Sequence, residues 1–118
     1  MINDNLLNGV SALMIGSAVN VPTCMAVGSI TGTITGQDTA TSGEFGSRFT
    51  TTNTVTNNLV KYVSLRSGAV ATSTPLNVLG LWTSTTNGNL WAQTLLPSIL
   101  QTSAFDIDFE VWINVNRG

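Results

Sequence analysis

Phe105-Asp106-Ile107-Asp108-Phe109-Glu110-Val111-Trp112-Ile113-Asn114-Val115-Asn116 is the stretch that decides the fold. Phe105, Ile107, Phe109, Val111, Ile113 and Val115 hold the odd positions. Asp106, Asp108, Glu110, Trp112, Asn114 and Asn116 hold the even ones. Successive side chains of a strand point to opposite faces, so this period of two predicts a strand with one buried and one wet face. A helix would bring Asp106 and Phe109 to one side and make no core.

Reading outward from that strand, Leu76–Trp82 and Leu90–Leu95 are two more apolar runs. Asn87-Gly88 lies between them and is the strongest short hairpin signal in the chain, so the two runs are expected to pair antiparallel. Pro97 is expected to end the second. Leu59–Leu65 alternates with a mixed register, and Asn57-Asn58 before it suits a turn. Glu44–Asn57 is Thr-rich and polar and reads as one strand with an exposed face. Thr23–Gly28 reads as the first strand, after Pro22, and Ala69–Pro75 as a loop. Ser29–Gly43 is a long Thr/Gly loop whose only charge is Asp38. Loops of this length usually contact a partner; the other reading is that it wraps the domain.

Residues 3–15 read as an amphipathic helix, with Leu6, Leu7, Val10, Leu13 and Met14 on one face. Asn3 or Asp4 suits its cap and Gly16 its left-handed exit. So short a helix should lie against the sheet. The expected fold class is mainly β: an antiparallel, jelly-roll-like β-sandwich with a short N-terminal helix. Residues 1–118 are expected to form a single domain, with residues 3–16 packed on it.

Composition narrows the function. Only 8% of the 118 residues are charged, against roughly 25% in a typical soluble domain. A surface of hydroxyls, amides and apolar groups can be buried against neighbours with few ions to strip of water. The four Lys and Arg residues form no basic patch, so nucleic acid is not an expected partner. The N-terminal Met1-Ile2-Asn3-Asp4-Asn5 lacks the basic region of a secretory signal. Val10–Val21 is too short and too polar to span a membrane.

The chain has no histidine and one cysteine, Cys24. A zinc site therefore lacks ligands, and the commonest general base is missing. Cys24 reads as a small buried hydrophobe, since no basic neighbour adjoins it in sequence. Neither a phosphate-cradling loop nor a dinucleotide fingerprint is present. No catalytic residue, cofactor or metal is expected. Asp106, Asp108 and Glu110 are the one constellation to weigh, spaced roughly 7 Å apart along one strand face. Three readings stand side by side. They form a solvated face that blocks edge pairing, or they meet Arg48, Lys61 or Arg66, or they hold Ca²⁺ with loop carbonyls. Trp82 and Trp91 flank the hairpin and either pack in the core or pair across it. Trp112 shares its parity with the acids and should face outward or into a neighbour.

The order of features resembles a family of small tailed-phage virion proteins, of tail-fibre-like or minor tail type. The matching pieces are the N-terminal helix, the strand Pro22-Thr23-Cys24-Met25-Ala26-Val27-Gly28, then Gln37-Asp38-Thr39-Ala40 and Glu44…Arg48. Gly80-Leu81-Trp82, the Gly88–Pro97 strand and the closing alternating strand follow. The resemblance implies a non-enzymatic virion subunit, tail- or baseplate-associated or a capsid decoration protein, assembled in the host cytoplasm. Its partners would be itself, a trimer being one form, and other virion proteins. The interface residues expected are Trp112, Asp106, Asp108, Glu110, Thr31, Thr33, Thr35 and Asp38. The alternative function is a carbohydrate-binding module that stacks sugar on Trp112 or on Trp82 and Trp91.

Overall fold

The computed structural model describes residues 2–16, 20–41, 43–56, 59–66 and 75–114. Among them are one helix, α1 (Asp4–Met14), and seven strands. These are β1 (Cys24–Gly28), β2 (Phe49–Thr50), β3 (Thr52–Thr56), β4 (Leu59–Arg66), β5 (Leu76–Trp82), β6 (Leu90–Ile99) and β7 (Ile107–Asn114). They form two antiparallel sheets, in the orders β2-β1-β5-β6 and β3-β4-β7. The fold is the mainly β, antiparallel sandwich with an N-terminal helix that the alternation predicted.

β7 follows its sequence pattern from Ile107 to Asn114, and falls short of it at Phe105, which was expected on the buried face. Phe109 is buried, while Asp108, Glu110, Trp112 and Asn114 are exposed. Phe105 and Asp106 precede the strand and are exposed, and Val115 and Asn116 lie outside the described residues. The inward residues of β7 and β4, with Phe109 and Tyr62 at the centre, meet Met25, Val27, Leu79, Leu81 and Ala92 of the four-stranded sheet. Phe49 packs on Phe109 with ring centroids 5.8 Å apart.

The four-stranded sheet is covered on its other face as well, which is why β1 and most of β5 are buried at every position. Cys24, Ala26, Trp82 and Leu90 form a second apolar cluster there. The long loop binds back to the sheet that carries this cluster through Ile30, Asp38 and Thr41. The Trp82 indole N–H donates to Thr41 Oγ1 (3.0 Å), and Asn77 exchanges two hydrogen bonds with the Ile30 backbone. Gln93 Nε2 donates to Asp38, and the Phe45 N–H to the Val27 carbonyl. The long loop thus wraps the domain, the second of its two sequence readings.

Three expectations are corrected. Pro97 does not end β6, which runs on to Ile99. β6 is an edge strand, and its register with β5 shifts between the Leu76 and Val78 pairings; an edge or a bulge is where a strand tolerates proline. Glu44–Asn57 is not one strand: β2 pairs with β1 and β3 with β4, so the chain changes sheet at Thr51. The Thr51 N–H bonds to the Thr23 carbonyl, and Ser64 Oγ to the Thr50 carbonyl, which pins the crossing point. The apolar face of α1 is mostly not against the sheet: only Leu6 and Gly9 are buried.

Both turn residues of the predicted β5–β6 hairpin adopt positive φ, Asn87 at 55° and Gly88 at 75°. Asn57-Asn58, between β3 and β4, and residues 69–74 of the Ala69–Pro75 loop lie outside the described residues.

Candidate interaction surfaces

The outer face of the three-stranded sheet is built by register. Thr54, Lys61 and Trp112 form one cross-strand row, and Thr52, Val63 and Glu110 the next. Leu65 stands opposite Asp108. Trp112 is 53% exposed, as its parity predicted. Its indole N–H donates to Glu110 Oε2 (3.1 Å), and the Lys61 ammonium lies 5.2 Å from the ring centroid. Of the three cations considered for the acidic stripe, Lys61 alone is seated on this face beside Trp112. Arg48 belongs to the other sheet's surroundings and bridges Glu44 (3.2 Å). Arg66 is buried, donates to Gln101 Oε1 and receives a bond on its carbonyl from Gln101 Nε2. Among the described residues no three carboxylate or thiol groups converge where they could hold a metal ion.

The loop residues divide. Thr31, Thr33 and Thr35 have exposed side chains. Asp38 is a latch: its carboxylate accepts from the Thr35 N–H and hydroxyl, both at 2.9 Å, and from Gln93, while its carbonyl accepts from Asn3 Nδ2 (2.5 Å). The Thr35 backbone N–H, then its hydroxyl, hold the Asp38 carboxyl below its ordinary range; partial burial opposes them, and Gln93 adds to them. Asp38 ties the loop to α1 and β6 and is not free to meet a partner with its carboxylate.

Trp82 and Trp91 are both buried, at 4% and 6%, so neither offers a sugar platform. They do not stack on each other across the hairpin. Instead the Arg48 guanidinium lies 3.6 Å from the Trp82 ring centroid and donates to the Ser84 and Asn87 carbonyls. Arg48 therefore clamps the β5–β6 hairpin, a role that spacing alone did not single out. Cys24 is fully buried, and burial pushes its thiol up, against the opposing pull of Arg48 and a Thr23 hydrogen bond.

The surface that the sequence reading assigned to the sheet, and the structure leaves exposed, is on α1. Leu7, Val10, Leu13, Met14 and Ile15 are exposed, Met14 by 83% and Ile15 by 81%. The helix is held instead through polar ties. The Asn3 N–H bonds to the Trp91 carbonyl, Asn5 Nδ2 to the Leu90 carbonyl and the Asp4 N–H to the Gly36 carbonyl. Periodicity marked Leu7, Val10, Leu13 and Met14 as one face and assigned it to the sheet; Ile15, just past the helix, extends it. No helix among the described residues is long and apolar enough to cross a membrane.

A cleft of about 370 Å³ opens between β6 and β7, over Leu79 and Leu81, with Ile2 at its side. Comparison with protein-family models, curated proteins and solved structures finds no match to the chain.

Proposed function

We propose that this chain is a non-enzymatic structural subunit that works by packing against protein neighbours, in the setting of a bacteriophage virion that its order of motifs implies. The observation that carries the reading is α1. Four large apolar side chains of a helix whose only charge is Asp4 stand in solvent, and Ile15 just past its end makes a fifth. Contiguous apolar surface of this kind marks an interaction site, and leaving it wet forgoes its burial energy. A helix with a single charge, in its first turn, can enter an interface with few ions to strip of water. The tail, baseplate and capsid surface all remain settings for such a subunit.

The carbohydrate-binding alternative is left with one platform, Trp112, and the Lys61 ammonium already sits over that ring. The subunit reading is therefore the one we carry forward. Sedimentation equilibrium of the wild-type chain and of Leu7→Gln/Val10→Gln/Met14→Gln tests it. We expect wild type to exceed the 12.4 kDa of one chain and the variant to lose mass while keeping its tryptophan emission. A wild-type chain that stays monomeric at millimolar concentration, with antibody against it failing to decorate virions, would sink the reading.

A further inference from the structure

We propose that the free edge of β7 is a pairing site for the same edge of a second copy, antiparallel and centred on Val111. This rests on the reading of the chain as an assembly subunit and names one of its contacts. Three observations lead to it.

The first is what walls the cleft. A sheet face contributes every second residue of a strand, because side chains alternate. Here β7 contributes five consecutive residues, 110–114, and β6 three, 92–94. Consecutive residues are what a strand edge presents. The cleft is thus a slot between two edges, with Leu79 and Leu81 as its floor. Strand edges carry unpaired N–H and C=O groups and recruit extended backbone.

The second is which edge is open. β6 is already bridged by Ile2 at Ala92, and its Trp91 carbonyl accepts the Asn3 N–H. β7 ends its sheet, and among the described residues nothing pairs with its far side.

The third is charge, by which a second copy of β7 complements this edge in one register. A two-fold axis perpendicular to the sheet keeps outward residues opposite outward ones. Centred on Val111, the pairing sets Glu110 opposite Trp112 of the second copy and Asp108 opposite Asn114. On the inner side Phe109 meets Ile113, and Val111 meets its own copy. Lys61 and the second copy's Glu110 then flank Trp112 from its two sides, since Lys61 is the cross-strand partner of Trp112. An axis on Glu110 would put two carboxylates face to face, and one on Phe109 would put Asp108 against Glu110. Like charges directly opposite are destabilising. An axis on Trp112 avoids this but pairs fewer residues of β7. The acidic stripe thus excludes the wrong registers and leaves a closed, two-fold contact.

Cysteine cross-linking with sedimentation equilibrium tests this. Directly opposed residues lie within disulfide reach, whereas residues two positions out of register do not. Val111→Cys should give a covalent dimer on oxidation, and Glu110→Cys alone should not; Cys24 is buried and does not interfere. Glu110→Lys, on the exposed face and so expected to fold, should raise the dimer dissociation constant at least tenfold by facing Lys61 across the contact. A wild-type dimer with no Val111→Cys cross-link overturns the proposal while leaving the assembly reading standing. Equal cross-linking by Glu110→Cys overturns the register. A chain that stays monomeric, with β7 amides protected only when a peptide of another sequence is added, overturns the choice of a second copy. If the α1 variant and Glu110→Lys both leave a monomeric wild type unchanged, the assembly reading falls too.

Discussion

Replacing Gly80 by alanine isolates the contact that holds the long loop on the sheet. Gly80 sits mid-strand in β5, between Ala26 and Gln93. A Cβ built there overlaps Thr41 Oγ1 and meets Trp82 Nε1 at 3.0 Å and Leu90 Cδ1 at 3.1 Å. Thr41 is buried and its hydroxyl accepts the Trp82 indole N–H, so it has no free direction in which to retreat. Overpacking of this kind costs roughly 1–3 kcal/mol. Displacing Thr41 also strands a buried donor, at about 1–3 kcal/mol. The lost freedom of glycine in the unfolded chain returns about 0.4–1 kcal/mol. The net expectation is a loss of about 3 kcal/mol, on the order of 10 °C in Tm for a chain of this size. Urea unfolding followed by tryptophan emission measures it, since Trp82 and Trp91 are buried only in the folded state. A double-mutant cycle gives the mechanism. In a Thr41→Ala background the overlap with Thr41 is gone and the indole donor is already unpaired, while the contacts with Trp82 and Leu90 remain, so Gly80→Ala should cost at least ~1 kcal/mol less than in wild type. A Gly80→Ala loss below ~0.5 kcal/mol, or strict additivity with Thr41→Ala, would refute the packing argument.

Three further outcomes follow from the geometry. Arg48→Ala should cost about 2 kcal/mol, because a cation–π contact and two charge-assisted bonds to the hairpin are lost together; Arg48→Lys should not restore it, since an ammonium lacks the planar fork, and thermal melts decide. Asp38 has a folded pKa below its unfolded one, so its contribution is present above the unfolded value and is lost as pH falls through the lowered folded value; Asp38→Asn should flatten that acid limb of the stability curve. Cys24, buried with its thiol pushed up, should react with a thiol reagent only as fast as the chain unfolds; fast labelling of native protein at pH 8 would contradict its burial.

The elements that were legible in the sequence are those whose pattern is local. β7 announced itself because a half-buried strand writes its two faces into alternate residues, and Phe109 and Trp112 fell on the sides that parity gave them. Leu76–Trp82 was legible because a strand covered on both faces is a continuous apolar run between turn signals. What stayed illegible was set by partners far along the chain. Nothing in the Thr-rich 44–57 run marks Thr51 as the point of sheet change; the Thr23 carbonyl and Ser64 hydroxyl fix it. Pro97 reads as a terminator unless one knows that β6 lies at an edge, which depends on the strand order. Asp38 looked available as a contact because its loop was unplaced; its hydrogen bonds to Thr35 are local, but those with Gln93 and Asn3 come only with the fold.

α1 carries this distinction into function. Its sequence specifies an apolar arc through Leu6, Leu7, Val10, Leu13 and Met14. Its docking is decided by other residues, the backbone N–H of Asn3 and the side chain of Asn5, which bond to consecutive carbonyls of β6. With one end anchored, the helix cannot roll. At about 100° per residue, the arc facing the sheet runs through Asn5, Leu6, Gly9 and the half-buried Ala12, and the apolar arc overlaps it at Leu6 and, at the far end of the helix, at Leu13, while Leu7, Val10 and Met14 lie outside it. Rolling the helix to bury Val10 and Met14 would break the Asn5 bond and draw the Asn3 amide away from Trp91. The offset is therefore held by hydrogen bonds to the sheet. In the subunit proposed above, relief would come from a neighbour's surface as poor in charge as the helix, and this is how the proposal ties the low charge of the sequence to assembly.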